Sequence, residues 1–346
     1  MSDSIDTRIE RLWYGQSRYR YMLLPFAGLF SLYVAIRRKL YQARIWKSLS
    51  VGVPVIVVGN ITAGGTGKTP LTIWLARALQ ERGQAPGIVS RGYGGNVGQV
   101  PVLVSADSEA ERVGDEAILL AAQSGCPVVV HPDRVAAARK VIEFGANIVI
   151  ADDGLQHYRL ARNFEIAVVD DARGFGNGAM LPAGPLREPV SRLQQVDQVL
   201  MQRHGNRSGG FIRRSAIRRP LDFRLRHRIV SRLDGSEVRP VGDFAGRRVH
   251  AVAAIGDPER FFRMLESLGL EICRHRLPDH AAIGPQDIDF DDDFDVLMTA
   301  KDAVKCRWLD TRKCWCVPLE VEFDDATAAL LTERIFAKLQ VERLVD

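Results

Sequence analysis

Residues 53–81 read VPVIVVGNITAGGTGKTPLTIWLARALQE. Val55 to Val58 is a β-branched apolar run, suited to a strand buried on both faces. Gly64, Gly65 and Gly67 follow, and glycine lets a backbone curl through positive φ. Beyond Lys68 and Thr69, Leu71, Leu75 and Leu79 recur at helical spacing. Strand, glycine loop and helix in that order aim backbone N–H groups and a helix N-terminus at one point, which is an anion site. Lys68 supplies a point charge for β/γ-phosphates, and the Thr69 hydroxyl is placed to ligate Mg²⁺. The nucleotide-binding set is therefore Thr62, Ala63, Gly64, Gly65, Thr66, Gly67, Lys68 and Thr69. The strict phosphate-loop pattern wants glycine where Thr62 stands. A related deviant loop carries lysine before its first glycine, where this chain has Ala63.

Working outward, 346 residues allow two domains, and the apolar and charged fractions are those of a globular protein. Five cysteines and no signal-peptide pattern suggest a reducing compartment. Cys306, Cys314 and Cys316 lack the paired spacing of a zinc knuckle and read as buried or incidental thiols. The net charge of +5 is unevenly placed. Residues 1–50 carry +6, residues 203–232 carry +9, and the remainder sums to −10. Two basic stretches on an acidic body indicate a defined anionic partner.

Tyr21 to Ile36 is almost uncharged and is bracketed by Arg18 and Arg20 before it and Arg37, Arg38 and Lys39 after it. Such a run is shorter than the roughly 20 residues a spanning helix needs, and Pro25 and Gly28 argue against an uninterrupted span. Aromatic and basic flanks suit a helix resting at a membrane interface. The alternative is an apolar helix pair packed on the nucleotide domain.

Beyond the loop the βα rhythm continues. Gly87–Val89, Val102–Ser105, Val128–His131, Ile148–Ile150, Ile166–Val169 and Val196–Met201 read as strands, with helices over 116–123 and 134–144. Arg91 ends one strand in SRGYGG, where α/β sheets bind ligands. Asp115 and Glu116 open a helix, where carboxylates often serve only the dipole. Asp152 and Asp153 follow a buried strand, the position from which phosphate-loop enzymes hold Mg²⁺. The run GFGNGAMLPAGPLREP (174–189) is too long for an idle connection, and it sets Arg187 and Glu188 between prolines. Phe223 to Ile229 alternates apolar residues with Arg224, Arg226 and Arg228, as either a charged edge strand or a surface for an anionic group. From Arg248 the βα rhythm resumes, with strands at Val249–Ile255 and Val296–Thr299, the latter running into Lys301 and Asp302.

VVGNITAGGTGKTP, SRGYGG, VGDEA, DDGLQH, GNGAMLPAGPLREP, LPDH and TAKDAVK, in that order over residues 53–305, resemble the tetraacyldisaccharide 4′-kinase family. The resemblance implies ATP-dependent phosphorylation of the 4′-hydroxyl of an acylated disaccharide 1-phosphate, with Mg²⁺, at the cytoplasmic face of a Gram-negative inner membrane. The implied fold is α/β: a phosphate-loop α/β/α nucleotide-binding domain and a second, smaller α/β domain, joined by a β-strand linker and preceded by a membrane-associated helical segment. The corresponding divisions are 1–50, 51–205, 206–245 and 246–346. Carried over by motif, Asp115 and His280 form a dyad that activates the hydroxyl beside Lys68, and Thr69, Asp152 and Asp153 hold the metal. Asn60, Arg91, Glu116, Gln156, His157 and Arg187 line the cleft. Where the family often shows a second histidine after the LPDH motif, this chain has Ala281. The implied partners are the lipid substrate and a membrane surface, not nucleic acid. Two rival classes remain. A deviant-loop ATPase acting as a switch or partitioning protein would want lysine at Ala63, and a kinase of a soluble metabolite would leave the apolar N-terminus without a purpose.

Overall fold

The computed structural model describes residues 5–15, 17–105, 107–204, 220–279, 281–306, 309 and 312–343. Two helices come first, α1 (Ile5–Tyr14) and α2 (Arg20–Gln42). The first βα block then runs β1 (Val55–Gly59), α3 (Lys68–Gln80), β2 (Pro86–Ser90), β3 (Val102–Val104), α4 (Ala110–Val113) and α5 (Asp115–Ser124). It continues through β4 (Val128–Val130), α6 (Arg134–Glu143), β5 (Ile148–Asp152), β6 (Phe164–Asp170), β7 (Gln198–Gln202) and β8 (Leu221–Arg226). The second block holds β9 (Ile229–Arg232), β10 (Val238–Pro240), β11 (Arg248–Ala253), α7 (Pro258–Ser267) and β12 (Glu271–Arg276). The last elements are β13 (Val296–Thr299), α8 (Ala300–Ala303), β14 (Cys314–Val317), β15 (Glu320–Glu322) and α9 (Asp325–Arg343).

The strands form a nine-stranded sheet, β15-β8-β7-β6-β1-β5-β2-β4-β3, and a six-stranded sheet, β10-β9-β14-β13-β11-β12. The glycine-loop strand β1 sits at the centre of the larger sheet, parallel to β5 on one side and β6 on the other. Its alternation explains both layers, because successive side chains of a strand point to opposite faces. Ile56 and Val58 meet Leu71, Leu75 and Leu79 of α3 and Ile118 of α5 on one face. Val55 and Val57 meet Val135, Ala138 and Val141 of α6 on the other. The three leucines of α3 are wholly buried, each worth about 1.5–3 kcal/mol of transfer free energy. Local signals start the helices: Asp133 accepts from the N–H groups of Val135 and Ala136, and Asp257 caps α7 with Pro258 in the first turn.

The smaller sheet buries Trp315, Phe244 and Phe262 in its core. Cys306 and Cys314 are buried in a second cluster with Val252, Val296 and Met298, and all five cysteines are free. Burial pushes the Cys306 thiol up to about 12, so it packs as an apolar group.

Two segments differ from the sequence-based division. β15 and α9 lie within 246–346 but return to the larger sheet, where Leu331, Ile335 and Leu339 join its core and the Phe323 ring packs, tilted, 4.5 Å from that of Trp74. The connection is therefore two-stranded: β8 leads into β9, and β14 leads back into β15, which pairs antiparallel with β8. For the same reason β8 is not an edge strand, and Arg226 and Arg228 both pair with Glu322 of β15. At the crossing point His227 Nδ1 lies 2.9 Å from the Pro318 carbonyl oxygen.

α2 runs through Pro25 and Gly28 without a break, although both residues argued for an interruption. Pro25 stands in the second turn, where its missing N–H deprives the Tyr21 carbonyl of that helical partner, and the helix continues past it. Ala27 is its only buried residue, while Met22, Phe26, Leu29, Leu32 and Tyr33 are each more than half exposed. Among the described residues no helix is long and apolar enough to cross a membrane. α1 is tied to the 174–189 loop: Trp13 Nε1 donates to the Pro182 carbonyl at 3.0 Å, and Asn177 N donates to the Trp13 carbonyl at 2.8 Å.

Candidate functional site

The glycine loop takes its shape from two left-handed residues, Gly64 at φ +105° and Gly67 at φ +76°, the second capping α3. A Cβ on Gly67 would lie 2.8 Å from Leu225 Cδ1 and 3.0 Å from Gln202 Oε1, so these side-chain ends of β8 and β7 would have to shift, and the left-handed backbone itself favours glycine here. Gly65 has open space around it. The 174–189 loop is stitched along the entry to this turn. Arg187 N donates to the Ile61 carbonyl and Ala63 N donates to the Pro185 carbonyl, both at 2.7 Å, and Thr62 bridges Leu186. The Ala63 amide, assigned to the nucleotide from sequence, is thereby committed to protein. Thr66 Oγ1, in contrast, is buried with no hydrogen-bond partner.

Lys68 Nζ donates to Asn60 Oδ1 at 3.2 Å and lies 3.6 Å from Asp153 Oδ1. Arg187 holds the other oxygen of Asp153 at 2.9 Å. Burial opposes the Asp153 charge, but Lys68 and Arg187 outweigh it and hold the carboxyl below its ordinary value. Asp153 itself has φ +48°, an uncommon conformation for a residue other than glycine. Its neighbour differs. Asp152 is buried and accepts from Thr72 Oγ1 at 3.0 Å. Burial first, then the charges of Glu116 and Asp153, push its carboxyl up to about 6. Glu116 of α5 thus acts on Asp152 through its charge.

Gln156 Nε2 donates to the Asn60 carbonyl at 3.0 Å and to Glu188 Oε1 at 2.9 Å. Glu188 is buried and also accepts from the Tyr158 hydroxyl. Burial, then the charges of Arg134, Arg91 and Arg162, push His157 down to about 4, leaving it a neutral imidazole at neutral pH. Arg91 is exposed at the end of β2 and acts on this corner through its charge. Asp115 opens α5, is buried, and lies 3.7 Å from Lys305 Nζ. His280 lies outside the described residues.

Lys68, Asn60, Asp152, Asp153, Gln156 and Arg187 therefore meet in one place, with Glu116 and His157 acting on it. Sequence reasoning missed Thr72, one helical turn beyond Lys68, and Arg134, whose Nη2 lies 3.4 Å from the Asp152 carbonyl oxygen. Burial pushes the Arg134 guanidinium down to about 10. Neither residue has a motif of its own; the tilt of α3 and α6 against β5 brings them in.

This arrangement of amide cradle, lysine, paired arginine and strand-end carboxylates can hold a polyphosphate with a divalent cation. No ligand is part of the structure, and the donors fit such a group: Asp153 Oδ1 is buried without a hydrogen bond, and Asp152 is buried beside two further carboxylates. Known proteins resemble the chain over nearly its whole length. The family model described as LpxK, tetraacyldisaccharide-1-P 4′-kinase, matches residues 19–336. A tetraacyldisaccharide 4′-kinase of Methylobacillus flagellatus is 44% identical over 341 residues, covering 98% of each chain. One from Nitrosococcus oceani is 44% identical over 349 residues, covering 99% of each. A solved structure of the "apo" form of LpxK from Aquifex aeolicus in complex with ATP superposes with a TM-score of 0.79 at 27% identity, covering 93% of this chain and 99% of that one.

Proposed function

The chain belongs to the tetraacyldisaccharide-1-P 4′-kinase family, and on that premise we propose which of its residues carry the transfer. The reaction moves the γ-phosphoryl group of ATP to the 4′-hydroxyl of a lipid A disaccharide 1-phosphate and gives the 1,4′-bisphosphate. The observation that carries the assignment is the Lys68–Asp153–Arg187 constellation at the mouth of the glycine loop.

Phosphoryl transfer asks a protein mainly for positioning and charge neutralisation. The amides of residues 64–69 and the α3 N-terminus cradle the phosphates. Lys68, now engaged by Asn60 and Asp153, turns to the β/γ-phosphates when nucleotide enters. Arg187 stays fixed by Asp153 at the edge of the same space. Thr69, Asp152 and Asp153 would hold Mg²⁺, which when bound neutralises charge on the phosphate oxygens. Thr72 fixes the orientation of the Asp152 carboxylate from behind. A sugar hydroxyl is a weak nucleophile, so a carboxylate within hydrogen-bond reach serves as base. Asp115 takes that role, with His280 as its partner in the dyad.

The acceptor carries acyl chains and must be met at a bilayer. The exposed apolar face of α2, flanked by Arg18 and Arg20 and by Arg37, Arg38 and Lys39, suits a helix lying in the interface at the cytoplasmic face of the inner membrane. Transfer of label from γ-labelled ATP to purified tetraacyldisaccharide 1-phosphate in detergent, with the labelled position mapped, tests the reading. The wild-type chain labels the 4′ position, and Lys68→Ala loses both nucleotide affinity and rate. Unimpaired labelling by Lys68→Ala would remove the glycine loop from the mechanism.

A further inference from the structure

The stretch TAKDAVK is still without a task. It forms the end of β13 and the short helix α8 of the second domain, yet two of its side chains reach the first domain. Lys305 Nζ lies 3.7 Å from Asp115 Oδ2, and Lys301 Nζ pairs with Glu116 Oε1. Asp115 and Glu116 are the first two residues of α5. The two lysines, four positions apart, thus meet two adjacent carboxylates across the gap between domains.

The second domain holds Lys305 firmly. Asp302 is wholly buried, and its Oδ2 accepts from Thr299 Oγ1 at 2.7 Å and from Ala254 N at 3.1 Å. Its Oδ1 lies 3.2 Å from Lys305 Nζ. The lysine side chain is only 7% exposed. A buried ammonium is costly unless paired, and this one stands between a carboxylate of its own domain and one of the other. Lys301 and Glu116 are each more than a third exposed, so their pair contributes little stability and opens easily.

We propose that Lys305 is a positioning residue for the transfer: by engaging one oxygen of Asp115 it fixes the rotation of the carboxylate that receives the hydroxyl proton, and Lys301–Glu116 is the reversible latch that brings it there. The inference rests on Asp115 acting as the base. Domain closure and alignment of the base are then one event, because the lysine arrives with the second domain. A misplacement of about 1 Å at a reacting group costs on the order of 100-fold in rate.

The test uses the full-length enzyme in detergent, with ATP and tetraacyldisaccharide 1-phosphate as substrates and a fluorescent ATP analogue to read nucleotide affinity. Lys305→Met is expected to lower kcat roughly 10- to 100-fold with the KM for ATP and the analogue's Kd held within about twofold. Lys305→Arg recovers part of the loss. In an Asp115→Asn background, Lys305→Met adds less than about threefold, because residues acting as a unit are not additive. Lys301→Ala raises the KM for the lipid more than it lowers kcat. Full multiplication of the Lys305 and Asp115 losses, or wild-type turnover in Lys305→Met, overturns the inference. Should Lys305→Met not fold, Lys305→Arg is put through the same double-mutant comparison, and independence from Asp115→Asn has the same consequence. Near-normal turnover in Asp115→Asn alone would instead bring down the reading of Asp115 as base, and this inference with it.

Discussion

Asp152 shows how one buried side chain can be unfavourable for the fold and yet suit the proposed chemistry. Its carboxyl stands at about 6 in the folded chain against an ordinary 3.8, because burial and two neighbouring carboxylates disfavour its charge. The folded state therefore holds this proton more tightly than the unfolded state. Stability falls as pH rises from about 4 to about 6, and the loss persists above that. Asp152→Asn, measured by calorimetry with a chelator present, should be more stable than the parent by about 3 kcal/mol at pH 7.5, with the gain vanishing below pH 4. The same variant should lose transfer activity. An unchanged difference between the two pH values would mean that the buried charge is not the cause. His157 has the opposite sign: its neutral form contributes stability above pH 6.5 that is lost as pH falls towards 4. Lys68, Asp152 and Asp153 could be singled out in the sequence because glycine loops and strand ends announce their neighbours, whereas Arg187 stood out only as a residue between prolines in a motif shared with the family. Thr72, Arg134 and Lys305 could not, since they lie on or beside helices at unremarkable spacing and gain meaning only through what packs on them.

At the scale of elements, β1, the glycine loop and α3 were legible because their geometry follows from local composition. The partner of the loop was not. Residues 185–187 pair with residues 61–63 across more than 100 positions, and no periodicity records so distant a contact. The same holds for β15 and α9, whose return to the larger sheet is decided by Phe323, Leu331 and Ile335 finding the apolar face beside Trp74. The loop offers a paired test. Gly67→Ala meets both a left-handed backbone and a crowded neighbour, and should destabilise by about 1–3 kcal/mol. Gly65→Ala meets open space without a positive φ and should leave stability within about 0.5 kcal/mol of the parent. Urea denaturation reads both, and equal effects would deny that the turn at Gly67 is specially constrained.

In the whole molecule, two sheets are joined by a pair of crossing strands, and a basic, apolar N-terminus is tied to the 174–189 loop that pairs with the entry to the glycine loop. The tie runs from Trp13 to Pro182 and from Arg37, 5.5 Å from the Tyr158 ring, whose hydroxyl reaches Glu188. If α2 rests in the bilayer interface, Leu29→Asp with Leu32→Asp should cut binding to anionic vesicles roughly tenfold or more while nucleotide affinity stays the same. Undiminished vesicle binding would leave α2 without that role. The account as a whole turns on the carboxylate at the start of α5 acting on the acceptor and not on the nucleotide. The direct measurement is single-turnover phosphoryl transfer by Asp115→Asn at saturating ATP, with nucleotide affinity determined on the same preparation. The predicted result is a rate lowered roughly 100- to 10,000-fold with affinity unchanged; a rate near that of the parent, or a loss explained entirely by weaker ATP binding, would contradict it.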